Sequence, residues 1–159
     1  MYQKVTIHGL VVDPITERPI LVLKVDADDR VLPIWIGHYE ANAIALQLEN
    51  INVPRPMTHD LVCGILSQAN LPLKEVLICD LRDNTYFADL VLLNNGQEIH
   101  VDARPSDAVA LAVRSGAPIL VEDSLFERMA DSDDGGENTE QVLRWLEKLT
   151  PEELGHYEM

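Results

Sequence analysis

The sequence predicts an α+β domain in which a mixed, largely antiparallel sheet, made of N-terminal strands plus a three-strand meander, packs against helices. Short β-rich segments open the chain and recur in its middle, where two-residue turn signals join them. The stretches between and after these groups repeat apolar residues at helical spacing. No regular strand–helix–strand repeat is present, which argues against a doubly wound parallel fold.

Three strands are predicted before the first helix. They cover residues 5–13, 20–25 and 31–36, and turn-like segments separate them. Pro33 lies inside the third strand, and proline cannot donate a hydrogen bond to a neighbouring strand. We therefore expect that strand to be bulged or to lie at an edge of the sheet.

Helical spacing begins after Gly37 and returns behind Thr58 and Ser106. We expect the hydroxyl groups of Thr58 and Ser106 to cap their helices. Gly116 and Pro118 end the third helix in the usual order. A short strand at residues 119–121 and a short helix near residues 124–129 complete this part of the chain.

The charge is distributed unevenly along the chain. The 159 residues include 12 Lys and Arg against 27 Asp and Glu, for a net charge of -15, and 47% are hydrophobic. That apolar content argues against a disordered chain. Residues 122–159 alone hold 12 acidic and 3 basic side chains. The predicted organisation is a folded domain over residues 1–130, an acidic flexible linker at 131–138 and a helical acidic tail at 139–159.

Composition also restricts location and function. No apolar run approaches the roughly 20 residues that cross a bilayer, and the N-terminus lacks the apolar core of a signal peptide. A cytoplasmic protein without membrane contact is expected. Because a strongly acidic chain repels polyanions, loose coating of nucleic acid is disfavoured. Phosphate chemistry would need a local site with metal ions or clustered arginines.

The register of the predicted meander follows from counting across its two turns. Two-residue turns at 83–84 and 95–96 place Asp80 opposite Phe87, Ile78 opposite Asp89, and Asp89 opposite Asp102. Side chains alternate along each strand. Leu77, Cys79 and Leu81 are then expected on the core face of the first meander strand.

The same register brings three aspartates to the other face. Like charges on directly opposed residues are unfavourable, so Asp80, Asp89 and Asp102 need an explanation. Mg²⁺ or Mn²⁺ would supply one, because hard cations bind carboxylate oxygens. The alternative is a solvated outer face on which Arg82 and water screen the acids. An error of one residue in either turn would separate the three carboxylates.

Two helix starts share an arginine–proline–hydroxyl–aspartate layout, at residues 55–60 and 104–107. Helix N-termini bind anions, and Arg55 or Arg104 would add a bidentate phosphate donor. Asp60 and Asp107 could equally complement the helix dipole or pair with an arginine. His59 could act as a general acid or base, or be only a polar residue of the first turn.

Four longer segments carry a resemblance to a known family. They are LPIWIG at 32–37 with EA at 40–41, PRPMTHDL at 54–61, DLRDNTYFA at 80–88, and DARPSDAVAL at 102–111 with API at 117–119. In these segments, over about residues 5–121, the chain resembles the bifunctional nuclease family. The resemblance implies an α+β domain that self-associates and a nuclease activity on both DNA and RNA. It brings no catalytic assignment, so the roles of residues are interpretations.

The leading hypothesis is a metal-assisted phosphodiesterase that acts on nucleic acid at a local site. Its predicted residues are Asp80, Asp89 and Asp102 as metal ligands, Arg55, Arg82 and Arg104 as phosphate-binding groups, and His59 or Asp107 in proton transfer. The rival hypothesis is a non-catalytic oligomeric module that binds a partner or a small anionic ligand. In that case the aromatic residues Trp35, Tyr39, Tyr86 and Phe87 would make the contacts, and the arginine–aspartate pairs would be buried structural bridges. The net charge favours the rival, and the resemblance favours the nuclease.

Overall fold

The computed structural model describes residues 1–129, 139–155 and 157, and it contains a seven-stranded sheet. The strands are β1 (Tyr2–Val12), β2 (Pro19–Val25), β3 (Val31–Trp35), β4 (Leu73–Arg82), β5 (Thr85–Asn94), β6 (Gln97–Ala103) and β7 (Ile119–Glu122). Their order in the sheet is β3-β2-β1-β7-β4-β5-β6. Adjacent strands are antiparallel except for the parallel pair of β4 and β7.

The helices lie on both faces of the sheet. They are α1 (His38–Leu48), α2 (Thr58–Gln68), α3 (Pro105–Ser115), α4 (Thr139–Lys148) and α5 (Pro151–Leu154), with a 3-10 turn at Asp123–Phe126. Alternation along β2 shows the two layers, because Leu21 and Leu23 join the core beneath α1 and α3, whereas Ile20 and Val22 pack against α4 and α5. The predicted α+β class with a mixed, largely antiparallel sheet is confirmed.

The N-terminal strands and the two turns of the meander follow the prediction. Strand β3, which contains Pro33, lies at an edge of the sheet. The turn residues Asp83, Asn84, Asn95 and Gly96 have φ values of 50°, 59°, 51° and 85°. Two consecutive positive φ angles are typical of the type I′ turns that close two-residue hairpins. The pairing of Asp89 with Asp102 across β5 and β6 is therefore confirmed.

The predicted register between β4 and β5 is wrong in its first half. The pairing shifts between Ile78 and Asp80, so Leu77 rather than Ile78 lies opposite Asp89. A bulge inserts one unpaired residue, here Cys79, and reverses which side chains face the core. Val76 and Ile78 are buried in the core, and Leu77 and Cys79 are only half-buried.

Both predicted hydroxyl caps are also wrong. Helix α2 has Met57 at its N-cap, and the backbone N–H of Met57 donates to Asp60 Oδ2 at 3.0 Å. Helix α3 has Arg104 at its N-cap and begins at Pro105, whose ring suits the first helical position. Ser106 therefore lies inside the first turn of α3 rather than at its cap.

The C-terminal helices pack onto the sheet. Val142, Leu146 and Leu154 contact β1 and β2 in a second apolar cluster. Gly9 permits this approach, because a Cβ atom at that position would overlap the carbonyl oxygen of Leu154. The predicted linker at residues 131–138 lies outside the described residues. Among the described helices, none is both long and apolar enough to cross a bilayer.

Candidate active site

The first turns of α1, α2 and α3 border one cleft of about 650 Å³. They contribute Glu40 from α1, His59 from α2, and Asp107 from α3, with Arg104 at the N-cap of α3. The three helices converge because α3 packs against both α1 and α2. We call this space the dyad cleft, after the pair formed by His59 and Asp107.

His59 and Asp107 form a hydrogen-bonded pair in which His59 Nε2 lies 2.8 Å from Asp107 Oδ1. An ionised carboxylate can only accept, so this contact assigns the ring hydrogen to Nε2 and the lone pair of the neutral ring to Nδ1. No described residue makes a hydrogen bond with Nδ1. The pair therefore presents an oriented imidazole whose basic nitrogen is free.

Arg104 is held beside this pair by two carboxylates. Its Nε and Nη2 donate to Asp107 Oδ2 at 2.9 and 2.8 Å, and Nη2 lies 2.7 Å from Glu40 Oε1. These hydrogen bonds, chiefly that to Asp107, raise the pKa of Arg104 further, so the guanidinium stays charged. Gly37 leaves room for the Glu40 carboxylate, because a Cβ atom there would overlap it.

Arg114 anchors the frame of the cleft. Its side chain is only 7% exposed, and Nε lies 2.8 Å from Asp60 Oδ1. Its Nη2 donates to the carbonyl of Ala43 at 2.9 Å. The Met57 N–H and then the Arg114 guanidinium lower the pKa of Asp60. Because Asp60 follows His59 on α2, this ion pair fixes where α2 places the imidazole.

Sequence reasoning missed the roles of Glu40 and Arg114. Arg114 follows the apolar run 108–113 of a buried helix, and a charge in such a place needs a partner. That signal was present in the sequence. Glu40 carried no comparable signal, because its partner Arg104 is 64 residues away along the chain.

The three aspartates predicted as metal ligands do not come together as one group of ligands. Within residues 1–129, 139–155 and 157, no group of three or more His, Cys, Asp or Glu side chains is arranged to hold a metal ion. Asp89 is hydrogen-bonded to His100, and Asp80 lies 3.1 Å from both Arg82 and Arg128. Asp102 alone of the three borders the dyad cleft.

Cations near these acids explain how the sheet tolerates them. The Leu81 N–H and the Arg128 guanidinium lower the pKa of Asp80. Asp89 raises the pKa of His100 through their hydrogen bond, so the ring is more readily protonated beside the carboxylate. This part of the sheet matches the screened outer face that the sequence left as the alternative, with His100 and Arg128 adding to the screening by Arg82.

The three predicted phosphate-binding arginines lie in different places. Arg104 borders the dyad cleft. Arg82 lies 3.8 Å from the centroid of the Phe87 ring and pairs with Asp80, on the β4–β5 hairpin. Arg55 is exposed before α2 and is not among the residues that line the cleft. Only one of the three arginines therefore accompanies the dyad.

Similar proteins include relatives from bacteria and plants. The uncharacterized protein Rv1829 of Mycobacterium tuberculosis (strain ATCC 25618 / H37Rv) is 37% identical over an alignment 162 positions long, which covers 95% of this chain and 97% of the relative. Bifunctional nuclease 1 of Oryza sativa subsp. japonica is 31% identical over 105 residues, which cover 64% of this chain and 32% of the relative.

Bifunctional nuclease 1 of Arabidopsis thaliana is 30% identical over 107 residues, which cover 65% of this chain and 33% of that protein. The plant relatives are thus matched over about a third of their own length. The family model described as the bifunctional nuclease domain matches residues 21–133, which is more than half of the chain. The resemblance stated from the sequence is confirmed, and the chain belongs to the bifunctional nuclease domain family.

Proposed function

We propose that this protein hydrolyses phosphodiester bonds of DNA and RNA in the dyad cleft. The observation that carries the proposal is the His59–Asp107 pair with the Arg104 guanidinium bound to the same aspartate. A base and a phosphate-binding cation thus lie side by side at the edge of a cleft. Family membership and the names of the plant relatives support nucleic acid as the substrate class.

In this mechanism His59 Nδ1 accepts a proton from the water that attacks the phosphorus atom. The bond between phosphorus and the leaving oxygen of the strand breaks, and that oxygen takes up a proton from solvent. Asp107 orients the ring through Nε2 and stabilises the positive charge that the ring acquires. Arg104 donates hydrogen bonds to non-bridging phosphate oxygens and stabilises the added negative charge of the transition state. Glu40 is a positioning residue, because it holds Arg104 from the side of α1.

The walls of the cleft suit an unpaired base. Leu46, Met57 and Val62 give it an apolar lining, and Tyr39, which is 88% exposed, lies at its border. Aromatic and apolar side chains bind single-stranded nucleic acid by stacking with little sequence preference. The net charge of -15 opposes long phosphate contacts. Short or exposed single strands are therefore the proposed substrates.

The requirement for Mg²⁺ or Mn²⁺ stays a prediction, and the roles of His59, Asp107 and Arg104 do not depend on it. The predicted ligands do not fit a three-aspartate site, as their separate partners show. Chelation tests the requirement directly. If activity survives chelation, the metal prediction fails and the dyad mechanism stands. If activity is lost, Asp102→Asn tests whether the one predicted aspartate at the cleft takes part.

The decisive experiment compares His59→Gln with His38→Gln. His38 is an exposed histidine in the first turn of α1 and does not line the cleft, so it is a matched control. Cleavage of fluorescent single-stranded DNA and RNA should fall by about 10²-fold or more in His59→Gln and stay unchanged in His38→Gln. Circular dichroism and thermal melting check that both variants fold. Wild-type rates in a folded His59→Gln variant would refute the mechanism.

A second function, as a self-associating binding module, is favoured by the surface of α2. No residue of α2 is fully buried, and Leu61, Ile65 and the N-cap residue Met57 are exposed. Exposed apolar side chains on one helix are typical of an interaction surface. Self-association is compatible with hydrolysis. Self-association would be the main function only if variants of His59 and Asp107 cleave single-stranded DNA and RNA at the wild-type rate.

A further inference from the structure

A second cleft shares Arg104 with the dyad cleft. It has a volume of about 250 Å³, and the residues that line it include Arg18, Trp35, Tyr86, Arg104 and Ser106. We call it the Ser106 cleft. Since Arg104 borders both spaces, a ligand that occupied one cleft would be a neighbour of a ligand in the other.

The Ser106 hydroxyl is buried and has no hydrogen-bond partner among the described residues. The exposure of Ser106 is 5%, and Asp13 is the other buried polar or charged residue in the described part of the chain. The Asp13 carboxylate is satisfied by the Ile15 N–H and the Trp35 indole, each at 2.9 Å. The Ser106 hydroxyl makes no hydrogen bond with any described residue. A buried hydroxyl without a partner is unfavourable, which indicates that a ligand completes it.

The backbone around Ser106 points to the same kind of ligand. Arg104, the N-cap of α3, has no side-chain acceptor for the backbone N–H groups of the first turn. Pro105 has no N–H, so the free donors of this turn are the N–H groups of Ser106 and Asp107. These groups carry the positive end of the dipole of an 11-residue helix, which favours an anion.

Charge and size narrow the ligand to a small anion. The described residues that line the Ser106 cleft include the two arginines Arg18 and Arg104 and no acidic side chain. Arg104 also bonds to Asp107 and Glu40, which border the dyad cleft and not this one. The volume lies below the roughly 300 Å³ at which pockets for whole small molecules begin. A phosphate group with part of a sugar suits this space better than a complete nucleotide.

We propose that the Ser106 cleft is a phosphate subsite, in which the Ser106 hydroxyl, the first-turn N–H groups of α3 and Arg18 bind the phosphate next to the one in the dyad cleft. Arg104 lies between the two phosphates. The role of the subsite in cleavage rests on the proposed function, whereas its affinity for phosphate does not. The phosphate can be an internal one of the strand or a terminal monophosphate, since both present the same oxygens.

Phosphate binding is tested by titrating the ¹⁵N-labelled protein with inorganic phosphate, against sodium chloride at matched ionic strength. Phosphate should shift the amide signals of Ser106 and Asp107 in a saturable way, and chloride should not. Arg18→Gln should weaken the binding by about tenfold, and Ser106→Ala by less, because bonds to a charged ligand contribute most. Arg144→Gln, on the exposed side of α4, is the matched control and should bind as wild type does. Shifts that do not saturate, or an Arg18→Gln variant that binds as wild type does, would overturn the subsite.

Cleavage of short strands separates this inference from the proposed function. Replacing the phosphate beside the scissile bond by a neutral methylphosphonate should raise KM for wild type by about tenfold and should change KM little for Arg18→Gln. Strands with and without a terminal phosphate distinguish the two sources of the group. Saturable phosphate binding without cleavage would leave the subsite standing and refute the nuclease. Cleavage that depends on His59, in a protein that does not bind phosphate saturably, would support the nuclease and refute the subsite.

Discussion

Arg114 Nε lies 2.8 Å from Asp60 Oδ1, although the two residues are 54 positions apart in the chain. Arg114 is buried on α3, and it also donates to the carbonyl of Ala43 on α1. One side chain thus ties α1 and α2 to α3. This ion pair bears on the chemistry because His59 precedes Asp60 on α2, and Asp107, the partner of His59 in the dyad, lies on α3 with Arg114.

Replacing Arg114 by methionine should destabilise the protein by about 3 kcal/mol, because it leaves Asp60 and the Ala43 carbonyl without their donor. Urea denaturation followed by circular dichroism measures the change. The matched control is Arg144→Met, whose guanidinium is exposed and 3.8 Å from Glu140. Arg144→Met should lower the free energy of unfolding by less than about 0.5 kcal/mol. Equal costs for the two variants would show that the buried ion pair does not hold the helices.

The pair of His100 and Asp89 predicts a dependence of stability on pH. Asp89 raises the pKa of His100 in the folded protein. The stabilisation is therefore fully present below the unfolded pKa of about 6.5 and is lost as the pH rises through the folded value. The difference in free energy of unfolding between wild type and His100→Gln should shrink with rising pH. NMR titration should give a pKa for His100 above the value of about 6.5 for an unperturbed imidazole, and an equal or lower value would contradict the prediction.

Gly9→Ala should loosen the C-terminal helices, because the new Cβ atom would overlap the carbonyl of Leu154. We expect the free energy of unfolding to fall by about 1–3 kcal/mol, as it does when a methyl group is added to a tightly packed site. Hydrogen exchange should accelerate in α4 and α5 and not in α3. Gly64→Ala is the control, since a Cβ atom there meets nothing within 4 Å and alanine favours a helix. Unchanged exchange in Gly9→Ala would mean that α5 does not depend on this approach.

Self-association through α2 predicts that Ile65→Glu lowers the molar mass measured by light scattering after size-exclusion chromatography. Ile15→Glu is matched in exposure, 56% against 58% for Ile65, and lies in the β1–β2 turn, where it should have no effect. Burying a charge without a partner disfavours the interface, whereas an isolated surface charge does not. A wild-type protein that is monomeric at all concentrations tested would reject self-association.

The turns show how far local sequence signals reach. The dipeptide Asn95-Gly96 specifies its hairpin, and counting from it pairs Asp89 with Asp102 correctly. Counting from the other turn, at Asp83 and Asn84, fails beyond Cys79, because a bulge depends on how the strand fits its neighbours rather than on the turn. The metal hypothesis relied on this face of the meander. It did not anticipate that His100 and Arg128 would bind two of the three aspartates.

From the residues alone, the sequence determined the fold class and the end of α3 at Gly116, and it restricted the strand with Pro33 to a bulged or an edge position. It also singled out His59, Asp107 and Arg104 as candidates, without joining them. Only the tertiary structure joined them. His59 and Asp107 are 48 positions apart, and their contact depends on the angle at which two helices cross over the sheet. That angle is set by the side chains packed between the helices, which no local pattern specifies.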